Sequence, residues 1–189
     1  MKNSNSYPGL WLVALFVIAA ALLRVIFSYI PALANFSPVA AMALFGGYYF
    51  RNKRLAFSVM ILIMFLSDVA LEIAFRLNLR EFGGFHAVMP YVYIGFIAVV
   101  VIGGLLKNTK PLTLIGGSLL SSFIFFLVSN FGVWMTGNIY PLSFEGLTTC
   151  YIAAIPFLRY TIVGDLFFVG VMFGALHWVN SLYMKLASA

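Results

Sequence analysis

The sequence predicts an all-α fold: a polytopic membrane helix bundle with six transmembrane helices and both termini cytoplasmic. Three observations predict it. Of the 189 residues, 63% are hydrophobic and only 8% are charged, with a mean hydropathy of +1.06, whereas a soluble domain carries about a quarter charged residues. The apolar residues gather into runs near the ~20 residues that cross a ~30 Å hydrocarbon core. The basic residues gather into short turns between those runs. The length fits one integral membrane domain over residues 1–189, and the single Cys150 excludes an internal disulfide framework. The formal charge of +6 is therefore a topology signal. It implies a lipid bilayer as partner and no nucleic acid.

The first span is Leu10 to Ile30, ended by Pro31, with Arg24 in its last third. Lys2, the apolar run and Ala32-Leu33-Ala34 together resemble a secretory leader, but Arg24 interrupts the run, so the segment is read as a retained helix. Pro38 opens a second segment, capped by Ser37 or Asn35, that reaches only to Phe50. Its ~20–24 Å falls short of the membrane thickness and predicts a hollow above it. Ala43 and Gly47, four residues apart, predict a close helix contact there. Arg51-Asn52-Lys53-Arg54 reads as a cytoplasmic turn, and Leu55 to Arg76 as the third span. A polar loop with Gly83, Gly84 and His86 leads to the fourth span, Val88 to Leu106. Leu112 to Met135 is the fifth. Leu147 to Leu158 is too short to span and reads as a re-entrant or surface segment, or as the lead-in to the sixth span, Tyr160 to Met184. Gly170 and Gly174 predict tight packing of that span within the bundle or on another protein.

Orientation follows from the basic residues. With the N-terminus inside, the inner side holds Lys2, Arg51, Lys53, Arg54, Lys107, Lys110 and Lys185, and the outer loops hold Arg76 and Arg80.

The third span carries the chemistry. Asp68 and Glu72 interrupt an otherwise apolar run at i, i+4 and so share one helix face. An acid at a membrane helix centre costs roughly 2.5–3.5 kcal/mol on the insertion scale, so it must face a cation, water or a protein interior. Residue counting along the spans places Arg24, Asp68, Glu72, Asn130, Arg159 and Asp165 in one layer, the outer half of the membrane, with Trp134 beside them. This predicts a ligand-binding or gating layer, or alternatively a closed network of ion pairs. Tyr48, Tyr91, Trp134, Tyr140, Phe144, Tyr151 and Phe157 are aromatic candidates for its lining or cap, with interfacial aromatic belts as the alternative. No HExxH, GxSxG or P-loop is present. No catalytic residue, metal or cofactor is assigned, and the chain is not read as an enzyme.

Several stretches carry a family resemblance: Asn35 to Gly47, Ser67-Asp68, Ser129-Asn130-Phe131-Gly132-Val133-Trp134 and Cys150 to Phe157. With six spans and about 190 residues, the chain resembles the substrate-binding S components of energy-coupling-factor transporters, and an uncharacterised bacterial membrane family related to them. It departs from their Ala-x-x-x-Ala pattern in the first helix, since Ala14 is followed at i+4 by Ile18. The resemblance implies a multi-pass protein of the bacterial inner membrane. It also implies capture of a vitamin or other small-molecule substrate in an outward-facing pocket, with a transmembrane coupling subunit and ATPases as partners. Two alternatives stand beside it: a non-transporting scaffold or assembly protein whose ion pairs are structural, and an intramembrane enzyme using Asp68 and Glu72.

Overall fold

The shortest helix is the most deeply buried, because it is built from the smallest residues. In the computed structural model, which describes residues 10–30, 36–50 and 52–187, six helices follow one another: α1 (Leu10–Ser28), α2 (Val39–Tyr49), α3 (Lys53–Arg76), α4 (Met89–Leu105), α5 (Pro111–Met135) and α6 (Phe144–Ala187). Among the described residues there is no strand. Three helices are long and apolar enough to cross a membrane: α3, α5, and α6 over Phe144–Ser181. α2 and α4, at 11 and 17 residues, are shorter apolar helices. Ala32-Leu33-Ala34 and Asn35 lie outside the described residues.

α2 buries Val39, Ala40, Ala41, Ala43, Leu44, Gly46 and Gly47. Its backbone meets that of α4. A β-carbon on Gly47 would collide with the carbonyl of Val100, and one on Gly103 with the carbonyl of Leu44. The close contact expected at Ala43 and Gly47 is therefore present, and α4 answers it with a glycine of its own. Aromatic rings pack at the start of α2, on the side where the hollow is expected. Phe36 packs on Phe27 of α1 and on Phe167 and Phe168 of α6, with ring centroids 5.3–6.2 Å apart.

Ser37 Oγ accepts from the Val39 N–H at 3.4 Å, at the start of α2. At its other end, the Lys53 ammonium donates to the carbonyls of Gly47 (2.6 Å) and Phe50 (3.2 Å). A cation at a helix C-terminus satisfies acceptors that have no intrahelical donor. Asn52 caps α3 by accepting from the Arg54 N–H at 3.1 Å. α3 is inside-out by the standards of a soluble helix. Ile61, Leu62, Phe65 and Leu66 are exposed, whereas Ser67 and Asp68 are buried.

Of the readings of Leu147 to Leu158, the lead-in to the last helix is the one the structure shows, and there is no separate re-entrant or surface segment. The stretch is the first part of α6, which runs unbroken for 44 residues through Pro156. At 1.5 Å per residue the helix is about 66 Å long, twice the thickness of a hydrocarbon core. Pro156 removes one backbone donor without ending the helix. Within the bundle, Gly170 and Gly174 do not pack tightly: a β-carbon on either would meet nothing within 4 Å.

Candidate functional site

The polar groups in the bundle form two separate clusters, on different helices, rather than one connected network. The first centres on Asp68. Arg24 reaches across from α1 and donates through Nη1 to Asp68 Oδ1 at 2.5 Å and to the hydroxyl of Ser67. Tyr93 of α4 donates to the other carboxylate oxygen, Oδ2, at 2.8 Å. Ser67 directs its own proton back to the α3 carbonyls of Ile63 (2.9 Å) and Met64 (2.8 Å). Asp68 is only 1% exposed, yet each of its oxygens has a donor. A buried carboxylate is tolerated on those terms. Three helices, α1, α3 and α4, are tied at this one side chain.

The loop between α3 and α4 closes over this end of α3. Gly84 lies so near the Asp68 carbonyl that a β-carbon would overlap it, and Gly83 lies against the Glu72 carboxylate. Arg80 sits over the ring of Tyr29, 5.6 Å from its centroid, and ties the loop to the end of α1. Glu72 does not join Asp68. It takes Arg76 at 3.0 Å, an exposed i, i+4 pair.

The second cluster joins α5 and α6. Ser122 Oγ lies 2.6 Å from Asp165 Oδ2 and 3.1 Å from the carbonyl of Ser118. Both Ser122 and Asp165 are buried, at 0% and 3% exposure. Among the described residues no cation pairs with Asp165. The buried Ser118 hydroxyl, one turn earlier on α5, has no hydrogen-bond partner among the described residues.

The remaining candidates lie beyond these clusters, towards the start of α6. Leu127 on α5 accepts from the Tyr151 hydroxyl at 2.7 Å, while Ser122 meets Asp165. Between these two contacts α5 advances five residues and α6 fourteen, so α6 departs from α5 on the way. Pro156 lies within that stretch. A cavity of about 150 Å³ occupies the gap, lined by Phe125, Phe126, Ser129 and Asn130 on α5 and by Ala154, Phe157, Leu158 and Thr161 on α6. Asn130 is thus a cavity residue; its amide donates to the Phe126 carbonyl at 2.8 Å. Trp134 fastens the adjoining loop, donating through Nε1 to the Pro141 carbonyl at 3.0 Å. Arg159 is exposed and stacks on its neighbour Tyr160, 4.7 Å from the ring centroid.

The sequence offers Arg24 as a partner for an acid and singles out Ser67-Asp68, but it gives no role to Tyr93 or Ser122. Ser118, Ser121 and Ser122 form a polar stripe in an apolar helix, and that stripe was a readable signal for the second cluster. Nothing in the sequence singles out Tyr93 among the 10 tyrosines. Of the expected lining aromatics, Phe157 lines the cavity, whereas Tyr91 packs against Gly132.

Comparison with known families assigns the chain. The family model DUF6580, a family of unknown function, matches residues 4–186. The chain belongs to DUF6580. No curated protein and no solved structure matches it. Membership spans all six helices and both polar clusters, so the clusters lie within the family domain.

Proposed function

We propose that this DUF6580 protein is a substrate-capture subunit of the bacterial inner membrane, similar in role to the S components of energy-coupling-factor transporters. In this reading it crosses the membrane six times, with both termini cytoplasmic, and takes a small molecule from the outer side. A transmembrane coupling subunit and ATPases supply the energy. The observation that carries it is the cavity between α5 and α6. Its wall combines three phenylalanines with Ser129, Asn130 and Thr161, the mixture of apolar surface and few polar groups that holds a small ring-bearing ligand. At about 150 Å³ it is smaller than an occupied pocket, which runs ~300–1,000 Å³, so binding requires it to open. The first part of α6 is the element that opens it. Pro156 weakens the helix beside the cavity, and the Trp134–Pro141 hydrogen bond latches the loop that leads into it. The Arg24–Asp68–Tyr93 cluster holds α1, α3 and α4 together.

A scaffold role is the second reading, favoured by one observation: both oxygens of buried Asp68 are already satisfied by protein donors. Native mass spectrometry of the protein, extracted gently from its own membrane, separates the two. A bound small molecule that Asn130→Leu abolishes, with a co-purifying coupling subunit, establishes capture. A bare chain that binds neither, after incubation with candidate vitamins, establishes the scaffold.

A further inference from the structure

A second hollow lies at the opposite end of α5, at the turn that carries Lys107 and Lys110. It measures about 560 Å³ and runs from Lys110 and His177 along Leu114 and Phe173 to the glycine stripe of α6. Its floor is bare backbone: Gly170 and Gly174 both line it, and neither has an atom within 4 Å of where a β-carbon would stand. Its composition is polarised. Away from the turn the walls are apolar, while the mouth carries Lys110 and His177, with the N-terminus of the 25-residue α5 between them.

The mouth is electropositive for two reasons. Lys110 carries a full charge, and its ammonium has no hydrogen-bond or ion-pair partner among the described residues. The start of α5 presents the positive end of the helix dipole. Asn108 Oδ1 takes the Lys110 N–H (3.0 Å) and the Thr113 hydroxyl (2.9 Å), so the turn is held in place, while the N–H groups of Leu112 and Thr113 that carry this positive end have no acceptor among the described residues. No acidic side chain lines the hollow. An anion at the mouth therefore meets donors and no repulsion, and a chain of methylenes continues into the apolar part without a polar neighbour.

We propose that this groove binds one anionic phospholipid, its phosphate at Lys110, His177 and the start of α5, and one acyl chain laid along Gly170 and Gly174. A lipid is the occupant that the charge distribution selects, because the cationic mouth and apolar groove match a headgroup and tail in a single molecule. A basic pocket between membrane helices is a recurrent way of holding an anionic headgroup. The glycines matter because they leave the width of an acyl chain between the two helices. This inference uses the membrane placement of α5 and α6 and does not depend on substrate capture.

The test uses the full chain, purified in mild detergent and titrated with phosphatidylglycerol or with phosphatidylcholine of the same acyl chains. Bound lipid is counted by native mass spectrometry. The expected result is one retained phosphatidylglycerol and a weaker, non-saturating association of phosphatidylcholine. Lys110→Gln should lower phosphatidylglycerol affinity about fivefold, the equivalent of ~1 kcal/mol per basic residue at a membrane surface. Gly170→Leu should block retention of both lipids, and Gly174→Leu provides a second blocking variant should the first not fold. Equal binding of the two lipids, or undiminished binding in both leucine variants, overturns the proposal. So does a lipid-free dimer that either leucine variant dissociates, since the groove then belongs to a second copy of the chain.

Discussion

Arg24 and Asp68, 44 residues apart in sequence, form an ion pair of 2.5 Å that fixes α1 against α3. Arg24 retains 20% side-chain exposure while Asp68 has 1%, so the acid depends on the pair more than the base does. Removing one partner of a buried pair costs ~3–5 kcal/mol, whereas replacing both by apolar residues is often neutral. Arg24→Met is therefore expected to lower the thermal unfolding midpoint strongly, by about 3 kcal/mol of stability. Arg24→Met combined with Asp68→Leu should recover most of that loss. A double variant as unstable as the sum of the single ones would show that the two residues act independently.

Tyr93 tests the third arm of the same cluster. Tyr93→Phe removes one donor and leaves Oδ2 of Asp68 buried without another among the described residues. A hydrogen bond to a charged group contributes ~1.5–3 kcal/mol. The expected loss lies in that range in chemical or thermal unfolding, and it should shrink when Asp68 is already Asn. An unchanged midpoint in Tyr93→Phe would remove α4 from the cluster.

Ser122 and Asp165 make a contrasting pair, because among the described residues no cation stands behind the acid. Asp165→Asn keeps an acceptor for the Ser122 hydroxyl at the 2.6 Å contact and introduces no charge. It is expected to be neutral or stabilising. Ser122→Ala leaves a buried carboxyl group without that contact and should cost about 1–3 kcal/mol. Unfolding midpoints measured side by side decide this, and a severe loss in Asp165→Asn would point to a cation partner for the acid.

The glycines separate close packing from open surface. Gly47→Ala and Gly103→Ala each drive a methyl group into a facing backbone carbonyl, and should each cost about 1–3 kcal/mol. Gly116→Ala meets nothing within 4 Å and should be neutral or gain up to ~1 kcal/mol from helix propensity. Equal effects at the three sites would mean that α2 and α4 do not touch through their backbones.

Trp134→Phe keeps the ring contact with Phe131 and loses the hydrogen bond to the Pro141 carbonyl. The expected effect on global stability is small, about 1 kcal/mol. The effect on the loop is larger: limited proteolysis between Thr136 and Ser143 should accelerate several-fold. An unchanged cleavage rate would show that the loop is held by other contacts.

The sequence by itself determined the chemistry of the fold. Apolar runs too long and too free of charge for a soluble domain dictated helices that bury their polar residues and expose their apolar ones, as α3 does at Asp68 and Phe65. It also marked Ala43 and Gly47 as a contact, because small residues at helical spacing admit a second backbone. Depth was legible too, since a constant rise per residue places Arg24 and Asp68 at one height. Rotation about each helix axis and the path of each axis were not legible, because they depend on which neighbour fills which gap. Only the tertiary structure decided that Asp68 takes Arg24 and Tyr93 while Asp165, on another helix pair, takes Ser122. The same holds for α6. A proline inside an apolar run marks a break when read alone, but packing of Tyr151 on one side and Asp165 on the other carries the helix through it. Helix-to-helix contacts outweigh one missing backbone hydrogen bond, and the gap they leave beside Pro156 is the cavity at Asn130.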